Sequence, residues 1–570
     1  MVLKYLNWVI IKKELVHMNH SFWYKGAVIY QIYPRSFCDG NNDGLGDIPG
    51  IISKLDYLKE LGVNCVWLSP VYDSPQKDNG YDISNYRDIY KPFGTLDDFK
   101  LMLSEMHKRG IRLIMDLVVN HTSDQHEWFK SAIADKNSPY RDYYIIRKGK
   151  KNGKKPPNNW SGFFGGSTWE RIGDTDEYYL HLFTKEQPDL NWENPKVRDE
   201  VVDILRYWLD MGVDGFRCDV ITLISKKQDY KSRFPRLALI GKDAYIMGPK
   251  LHTYLRELYD RAYADYDCMT VGESVLCSLK DTISLVDPSR KELDMIFNFS
   301  HTDVDNYLGV KYFYRKFKLT RFKKRLAKYQ YGLYQKGWNS LFLENHDQRR
   351  SAGRYGTIDR GPLSIVSSKS LAASYFFLQG TPFIYQGQEI GMRNPSFKSI
   401  DEFQDVELKN MYKMCQDNAL IKALIGKHLF DVSRDNARTP MQWDNSEYFG
   451  FSKVKPWLMG TDDNKDRNVK DALEDKESLF YFYKRMIELR KQYPVIIDGK
   501  FDLLYKNNPN LFIYTRSLNE QKLLVICSFA KKEVKCPIKD FKDYELILSN
   551  YAEHSELFKP FECRIYINKK

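Results

Sequence analysis

The sequence predicts an α/β protein built on a (β/α)8 barrel, with a small domain inserted after the third strand and an antiparallel β-domain at the end. Three observations predict it. Short β-branched or apolar runs alternate with amphipathic segments along most of the chain, which is the pattern of a parallel sheet with crossover helices. Eight such runs occur, whereas open doubly wound sheets usually stop at five or six. After residue 494 the pattern changes to short strands and turns with no intervening helices.

Taken in order, the expected barrel strands are 27–34 (AVIYQIYP), 64–70 (NCVWLSP), 112–119 (RLIMDLVV), 214–220 (DGFRCDV), 269–273 (MTVGE), 294–299 (DMIFNF), 339–344 (NSLFLE) and 381–385 (TPFIY). Helical periodicity marks 48–61, 95–109, 195–211, 249–264, 320–335 and 363–379, with a last helix at 475–493. The interval from 121 to 192 is rich in Gly, Asn, Trp and charge. It is too long for a plain connection and reads as an inserted domain. The expected organisation is an N-terminal extension (1–21), barrel (22–120), inserted domain (121–192), barrel (193–494) and a C-terminal β-sandwich (495–570).

Composition narrows the function classes. The 570 residues carry a net charge of +12, with lysine runs at 148–155 and 316–328. Phe317 and Phe322 of the second run belong to no known nucleic-acid module, so both runs read as solvated faces and no nucleic-acid partner is expected. Nine cysteines form no C-x-x-C pair and no metal spacing, as suits buried thiols in a reducing compartment. The first twenty residues lack a small-residue cleavage site and are too short and charged to span a bilayer; Met18 is an alternative start. A cytoplasmic, monomeric protein without a membrane partner is the expectation. No nucleophile elbow, P-loop or dinucleotide fingerprint is present.

In such a barrel the chemistry lies at the carboxyl ends of the strands. Of 75 acidic residues, few stand there. Strand three ends in Asp116 and then Asn120-His121, strand four in Arg217-Cys218-Asp219, strand five in Glu273, and strand seven in Glu344-Asn345-His346-Asp347. Strand two leads into Asp78, Tyr81 and Asp82. One carboxylate in isolation is more often a helix N-cap; several on one rim form the set that glycosidic cleavage requires. The oxocarbenium-like transition state needs an ionised carboxylate at C1 and a protonated one at the leaving oxygen. Crowding raises one pKa and supplies the acid. Arg217, two residues before Asp219, shares its face of the strand and is expected to hold Asp219 ionised. Asp116 either joins the chemistry or orients its neighbours.

A second constellation is DGNNDGLGD at 39–47. Oxygen-bearing side chains at positions 1, 3, 5 and 9 match the first part of a calcium loop, although Gly50 stands where the bidentate Glu of an EF-hand would be. A single hard-cation site, for calcium or magnesium, is expected, with a structural role.

DLVVNH (116–121), GFRCD (215–219), VGE (271–273) and ENHD (344–347) resemble the four conserved blocks of glycoside hydrolase family 13, the α-amylase superfamily, in their usual order. AVIYQIYPRSF, DNGYDIS, QPDLNWENP, GTPFIYQGQEIGM and RDNARTPMQWD resemble its oligo-1,6-glucosidase/α-glucosidase branch. The resemblance covers roughly residues 22–500. It implies Asp219 as nucleophile, Glu273 as acid/base and Asp347 as the carboxylate gripping the sugar hydroxyls. It also implies a glucose pocket of Asp78, Tyr81, His121, Arg217, His346 and Arg438, with Phe164, Phe183 and Gln187 near the mouth. A Ca2+ site would be formed by Asp39, Asn41, Asp43, the Leu45 carbonyl and Asp47.

The implied activity is retaining, exo-acting hydrolysis of short α-glucosides. Val220, directly after the nucleophile, is similar to the α-1,6-preferring type, where a β-branched side chain narrows the space for a 4-linked leaving sugar. Gln388 stands where many relatives have Glu, and Cys218 where many have Met or Leu, which leaves the leaving-group preference open. Sucrose- or trehalose-6-phosphate-acting hydrolysis and sucrose isomerisation are the alternatives within the branch, although residues 311–324 lack the acidic loop of the isomerases. A non-catalytic transporter-heavy-chain relative is disfavoured by the intact carboxylates. Retention predicts carboxyls about 5–5.5 Å apart, and inversion ~6.5–9.5 Å.

Overall fold

The protein is described from a computed structural model covering residues 22–569, apart from 237–238, 308–309, 357–360, 362 and 461. The expected N-terminal extension lies outside the described residues. Eight strands close into a barrel: β1 Ile29–Ile32, β2 Cys65–Leu68, β3 Arg112–Leu117, β4 Gly215–Cys218, β5 Met269–Ser274, β6 Met295–Asn298, β7 Trp338–Leu341 and β8 Thr381–Tyr385. Each strand neighbours its successor, with β8 beside β1. All eight expected strands form, several of them shorter than the apolar runs that signalled them. The chain divides into two compact units.

The first unit comprises Trp67–Ser104 and Arg112–Asn298 and holds β3 to β6, which pair in parallel. Its long helix α1, Pro195–Met211, shows why the sequence folds locally as it does. The Asn194 side chain accepts from Lys196 N, Pro195 presets the first turn, and Gly212 at φ 107° ends it. Between these caps Val197, Val201, Ile204, Leu205 and Trp208 form one buried stripe. Gly215 opens β4 at φ 150°, and a Cβ there would lie 2.1 Å from the Met269 carbonyl. Only glycine permits that approach of β4 to β5.

Between β3 and α1 lie a helix, Glu127–Ala134, and a three-stranded antiparallel sheet in the order Ile146–Lys148, Glu177–Leu180, Trp169–Arg171. Ile145, Trp160, Trp169, Leu180 and Leu182 share a buried core with Val220, Leu223, Tyr230 and Tyr245 from the segment after β4. The inserted residues are therefore packed onto the chain that follows Asp219.

The second unit comprises Trp23–Val66, Glu105–Ile111 and Phe299–Lys570. Here β1 and β7 flank β8 in parallel register. The helix expected at 48–61 is two, α2 Ile48–Ser53 and α3 Leu55–Leu61, broken at Lys54, where φ −113° and ψ 7° are not helical. Helix α4, Leu319–Leu333, and helix α5, Leu363–Phe376, follow. Helix α5 is nearly all buried despite five serines. Ser367, Ser368 and Ser374 bond back to carbonyls three or four residues earlier, and Ser370 donates to Ser528 O, so the helix hides its hydroxyls. It packs on helix α6, Leu479–Gln492, and on the C-terminal sheet.

That sheet contains β9 Lys500–Leu504, β10 Leu511–Leu518, β11 Gln521–Ser528, β12 Tyr544–Ser549 and β13 Cys563–Asn568, in the order β9-β10-β11-β13-β12. A two-stranded sheet, Val534–Lys535 with Leu557–Phe558, shares its core: Phe558 is buried with Ile513, Ile526 and Tyr566.

Candidate active site

In the first unit, register does the assembling. Arg217 of β4 pairs with Asp116 of β3 on one side and Val271 of β5 on the other. Residues two apart on a strand share a face, so Asp219 and Glu273 follow on the same side. One guanidinium joins them. Arg217 Nη1 donates to Asp219 Oδ1 at 2.7 Å and to Asp116, while Nη2 donates to Glu273 Oε2 at 2.7 Å. Arg217 lies under the rings of Trp67 and Tyr81, at 5.2 and 5.7 Å, and Trp67 Nε1 donates to Asp116 Oδ2 at 2.8 Å. Asp116 is fully buried and accepts from Arg217.

Three carboxylates face one cation. Burial pushes the Asp219 carboxyl well above the usual range, Arg217 opposes the shift, and the charges of Glu273 and Asp116 add to it. Arg217 thus favours the ionised form of Asp219, against burial and the neighbouring carboxylates.

Beside this cluster His121 is buried, and burial lowers its pKa. Its Nε2 lies 3.0 Å from the Tyr81 carbonyl and its Nδ1 3.2 Å from Asn120 Nδ2. This network assigns the proton to Nε2. Gln187 Nε2 reaches Asp78 Oδ2 at 3.2 Å. Phe183 packs on His121 at 5.2 Å and Phe164 on Phe183 at 5.6 Å. Asp78, Tyr81, His121, Phe164, Phe183, Gln187 and Arg217 are accordingly brought together. Sequence reading missed Lys226, whose buried ammonium meets Asp189 Oδ2 and Asn120 Oδ1, each at 2.8 Å; a lysine in the apolar run after β4 was its only signal.

Val220 stands in the left-handed region at φ 35°, a strained place for a β-branched residue. Its N–H points to Glu273 Oε2 at 3.3 Å. Its side chain is buried in the cluster shared with the inserted domain.

In the second unit, Asp347 follows β7. Its Oδ1 accepts from Arg438 Nη2 at 2.6 Å and its Oδ2 meets His346 Nε2 at 3.2 Å. Burial alone would raise this carboxyl, yet His346, Arg438 and Arg434 hold it well below the usual range. Its side chain is 32% exposed, and Arg438 Nη1 has no partner among the described residues. Gln31 Nε2 lies 2.8 Å from His346 Nδ1, and Tyr33 stacks on His346 at 5.8 Å. Arg434 and its partner Asp405, 3.0 Å away, were legible only as part of RDNARTPMQWD.

Gln388 is buried, donating to Tyr375 OH at 3.0 Å and Tyr483 OH at 2.9 Å. In the loop 39–47, Asp39 accepts from Asn42 N, Gly44 N and Ser452 Oγ. Asp47 caps α2 by accepting from Gly50 N at 2.6 Å and also takes Gly40 N and Asn41 N. Asp43 takes Leu45 N. Among the described residues no three His, Cys, Asp or Glu side chains gather where they would hold a metal ion.

Comparison with known proteins agrees with this geometry. The alpha amylase catalytic-domain family model matches residues 31–499. The oligo-1,6-glucosidase of Parageobacillus thermoglucosidasius is 51% identical over 557 residues, 95% of this chain and 98% of that protein. Among solved structures, the trehalose-6-phosphate hydrolase of Bacillus licheniformis superposes with a TM-score of 0.89 at 43% identity, covering 96% of this chain and 100% of that one. The isomaltulose synthase of Klebsiella sp. LX3 gives 0.91 at 39% identity, with 96% and 99% covered. With its motifs, its closed barrel and these likenesses in agreement, the chain belongs to the alpha-amylase family of glycoside hydrolases.

Proposed function

We propose that the protein is a retaining, exo-acting α-glucosidase that hydrolyses short α-glucosides, preferring the α-1,6 bonds of isomaltose-type oligosaccharides. The observation that carries this reading is the single guanidinium of Arg217 held 2.7 Å from both Asp219 and Glu273. That bridge sets the two carboxyls beside one cation, and the close approach it favours is the arrangement double displacement uses.

Asp219 attacks C1 while Glu273 gives its proton to the leaving oxygen. A β-glucosyl ester of Asp219 results. Glu273, now ionised, takes a proton from water as that water attacks C1 and frees Asp219. Asp347, kept ionised, accepts hydrogen bonds from sugar hydroxyls and balances the positive charge of the oxocarbenium-like transition state. Asp78, Tyr81, His121, Arg217, His346 and Arg438 are assigned to the non-reducing glucose, and Phe164, Phe183 and Gln187 to the mouth.

The α-1,6 preference is supported by Val220 and by the oligo-1,6-glucosidases among the relatives. Trehalose-6-phosphate hydrolase and sucrose isomerase are the rivals, as relatives of those kinds exist. Comparing kcat/KM on isomaltose, panose, maltose, sucrose and trehalose 6-phosphate tests it. Isomaltose is expected to lead, and a higher value on maltose or trehalose 6-phosphate overturns the assignment.

The proposal includes a structural Ca2+, with Mg2+ as the alternative, on Asp39, Asn41, Asp43, the Leu45 carbonyl and Asp47, whose hard oxygens suit such an ion. It takes no part in catalysis. It further includes the domain limits 22–120, 121–192, 193–494 and 495–570, a monomer, and a cytoplasmic setting that the nine free thiols favour. No helix among the described residues is long and apolar enough to cross a membrane.

A further inference from the structure

We propose that Arg350, braced by Glu344, is a positioning residue for Asp347. This rests on the reading of Asp347 as the carboxylate that grips the sugar. Among the described residues Arg350 makes no hydrogen bond to Asp347. It is fully buried, and its guanidinium spends its donors on three separate stretches of chain. Nη1 donates to Glu344 Oε1 at 3.3 Å and to Gln386 O at 2.6 Å, just past β8. Nη2 donates to Ala437 O at 3.2 Å. The plane of the group lies over the Tyr385 ring at 4.7 Å, and Tyr385 OH donates to the same Ala437 carbonyl at 2.8 Å.

The consequence lies one residue further on. Ala437 precedes Arg438, whose Nη2 grips Asp347 Oδ1 and whose Nε donates to His346 O at 3.0 Å. Glu344 begins the turn that carries His346 and Asp347, and it also accepts from Ser351 N, closing that turn at its base. The Glu344–Arg350 pair therefore fixes both partners of the Asp347–Arg438 contact: the turn that presents the carboxylate and the segment that presents the guanidinium. Burying such a pair is costly; Nη1 and Nη2 are both engaged with the chain while Nε has no partner among the described residues, and a stability role alone is served as well by apolar packing. A planar fork reaching two carbonyls and a carboxylate is a geometric device that lysine does not reproduce. A misplacement of about 1 Å costs roughly 10²-fold in rate.

The test compares the wild-type protein with Arg350→Met, Arg350→Lys and Glu344→Gln. Rates are measured on p-nitrophenyl α-glucoside, with inhibition by 1-deoxynojirimycin, a glucose-shaped cation that mimics the transition state. For Arg350→Met, kcat is expected to fall roughly 10²-fold and the inhibition constant to rise in proportion, while KM moves less than about threefold. Glu344→Gln is expected to follow with a loss of about tenfold. A folded Arg350→Met with kcat within about threefold of wild type overturns the proposal. So does a loss that disappears when the assay temperature is lowered well below the variant's Tm, because that is instability and not misplacement. If Arg350→Met fails to fold, Arg350→Lys decides by the same proportionality between kcat and inhibitor affinity. A wild-type protein inactive on the glucoside strikes the functional reading instead, and iminosugar binding by calorimetry to wild type and variant then decides the positioning role.

Discussion

The residue that best exposes the chemistry is Asp219, since its environment opposes its charge. Burial, Glu273 and Asp116 raise its pKa, and Arg217 only partly offsets them. A carboxyl raised in the folded state binds more protons there than in the unfolded chain, so its contribution favours folding at low pH and turns against it as pH rises through the folded value. Asp219→Asn removes that term. The variant is expected to lose at least ~10⁴-fold in kcat yet to melt at a higher Tm than wild type at pH 7, with the Tm difference shrinking as pH falls towards 4. Calorimetry at several pH values checks this, and a Tm drop at pH 7 is the contrary result. Asp116→Asn tests the same balance from the other side. It removes a charge that raises the Asp219 pKa, so the acid limb of kcat/KM is expected to move to lower pH, read from a pH-rate profile. Asp347, already held low, is not expected to set that limb.

At the scale of elements, β4 and its close packing on β5 decide whether Arg217 reaches two carboxylates at once. Gly215 is the point of contact, with φ 150° and a hypothetical Cβ 2.1 Å from the Met269 carbonyl. Gly215→Ala is expected to destabilise the protein by on the order of 2–4 kcal/mol and to lower kcat through a displaced Arg217, as urea unfolding and steady-state rates would show. This element also explains what the sequence revealed. Apolar runs marked all eight strands, because barrel strands are buried on both faces. Strand-end position narrowed the acidic residues to a set with Asp116, Asp219, Glu273, Glu344 and Asp347, and the family resemblance picked Asp219, Glu273 and Asp347 from it. The break at Lys54, the left-handed Val220 and the core placement of Gln388 were not legible, since each is imposed by tertiary packing and leaves no local pattern. The Lys226–Asp189 pair was hidden for the same reason: its members lie 37 positions apart, and only the fold joins them.

For the molecule as a whole, the C-terminal sheet is tied to the second unit's helices by buried cations rather than by apolar surface alone. Lys323 of α4 is the clearest case. Its ammonium donates to three backbone carbonyls, Tyr505 O at 3.0 Å, Asn508 O at 2.6 Å and Leu511 O at 2.9 Å, and so ends the turn between β9 and β10. Arg516 of β10 does the same for Phe377 O, Ile496 O and Gly499 O. Neither cation meets a carboxylate in these contacts; carbonyl dipoles hold it, which fixes geometry through several bonds at once. Replacing Lys323 by Met keeps the stem and strips the donors, leaving three carbonyls to find other partners. The expected cost is at least ~2 kcal/mol, with kcat/KM per folded molecule unchanged, because no residue assigned to the sugar lies on α4 or in the sheet. Thermal unfolding followed beside activity checks both halves. A variant that keeps its Tm denies the clamp, and one that keeps its Tm but loses kcat/KM gives the C-terminal sheet a part in catalysis that its place beside α5 does not suggest.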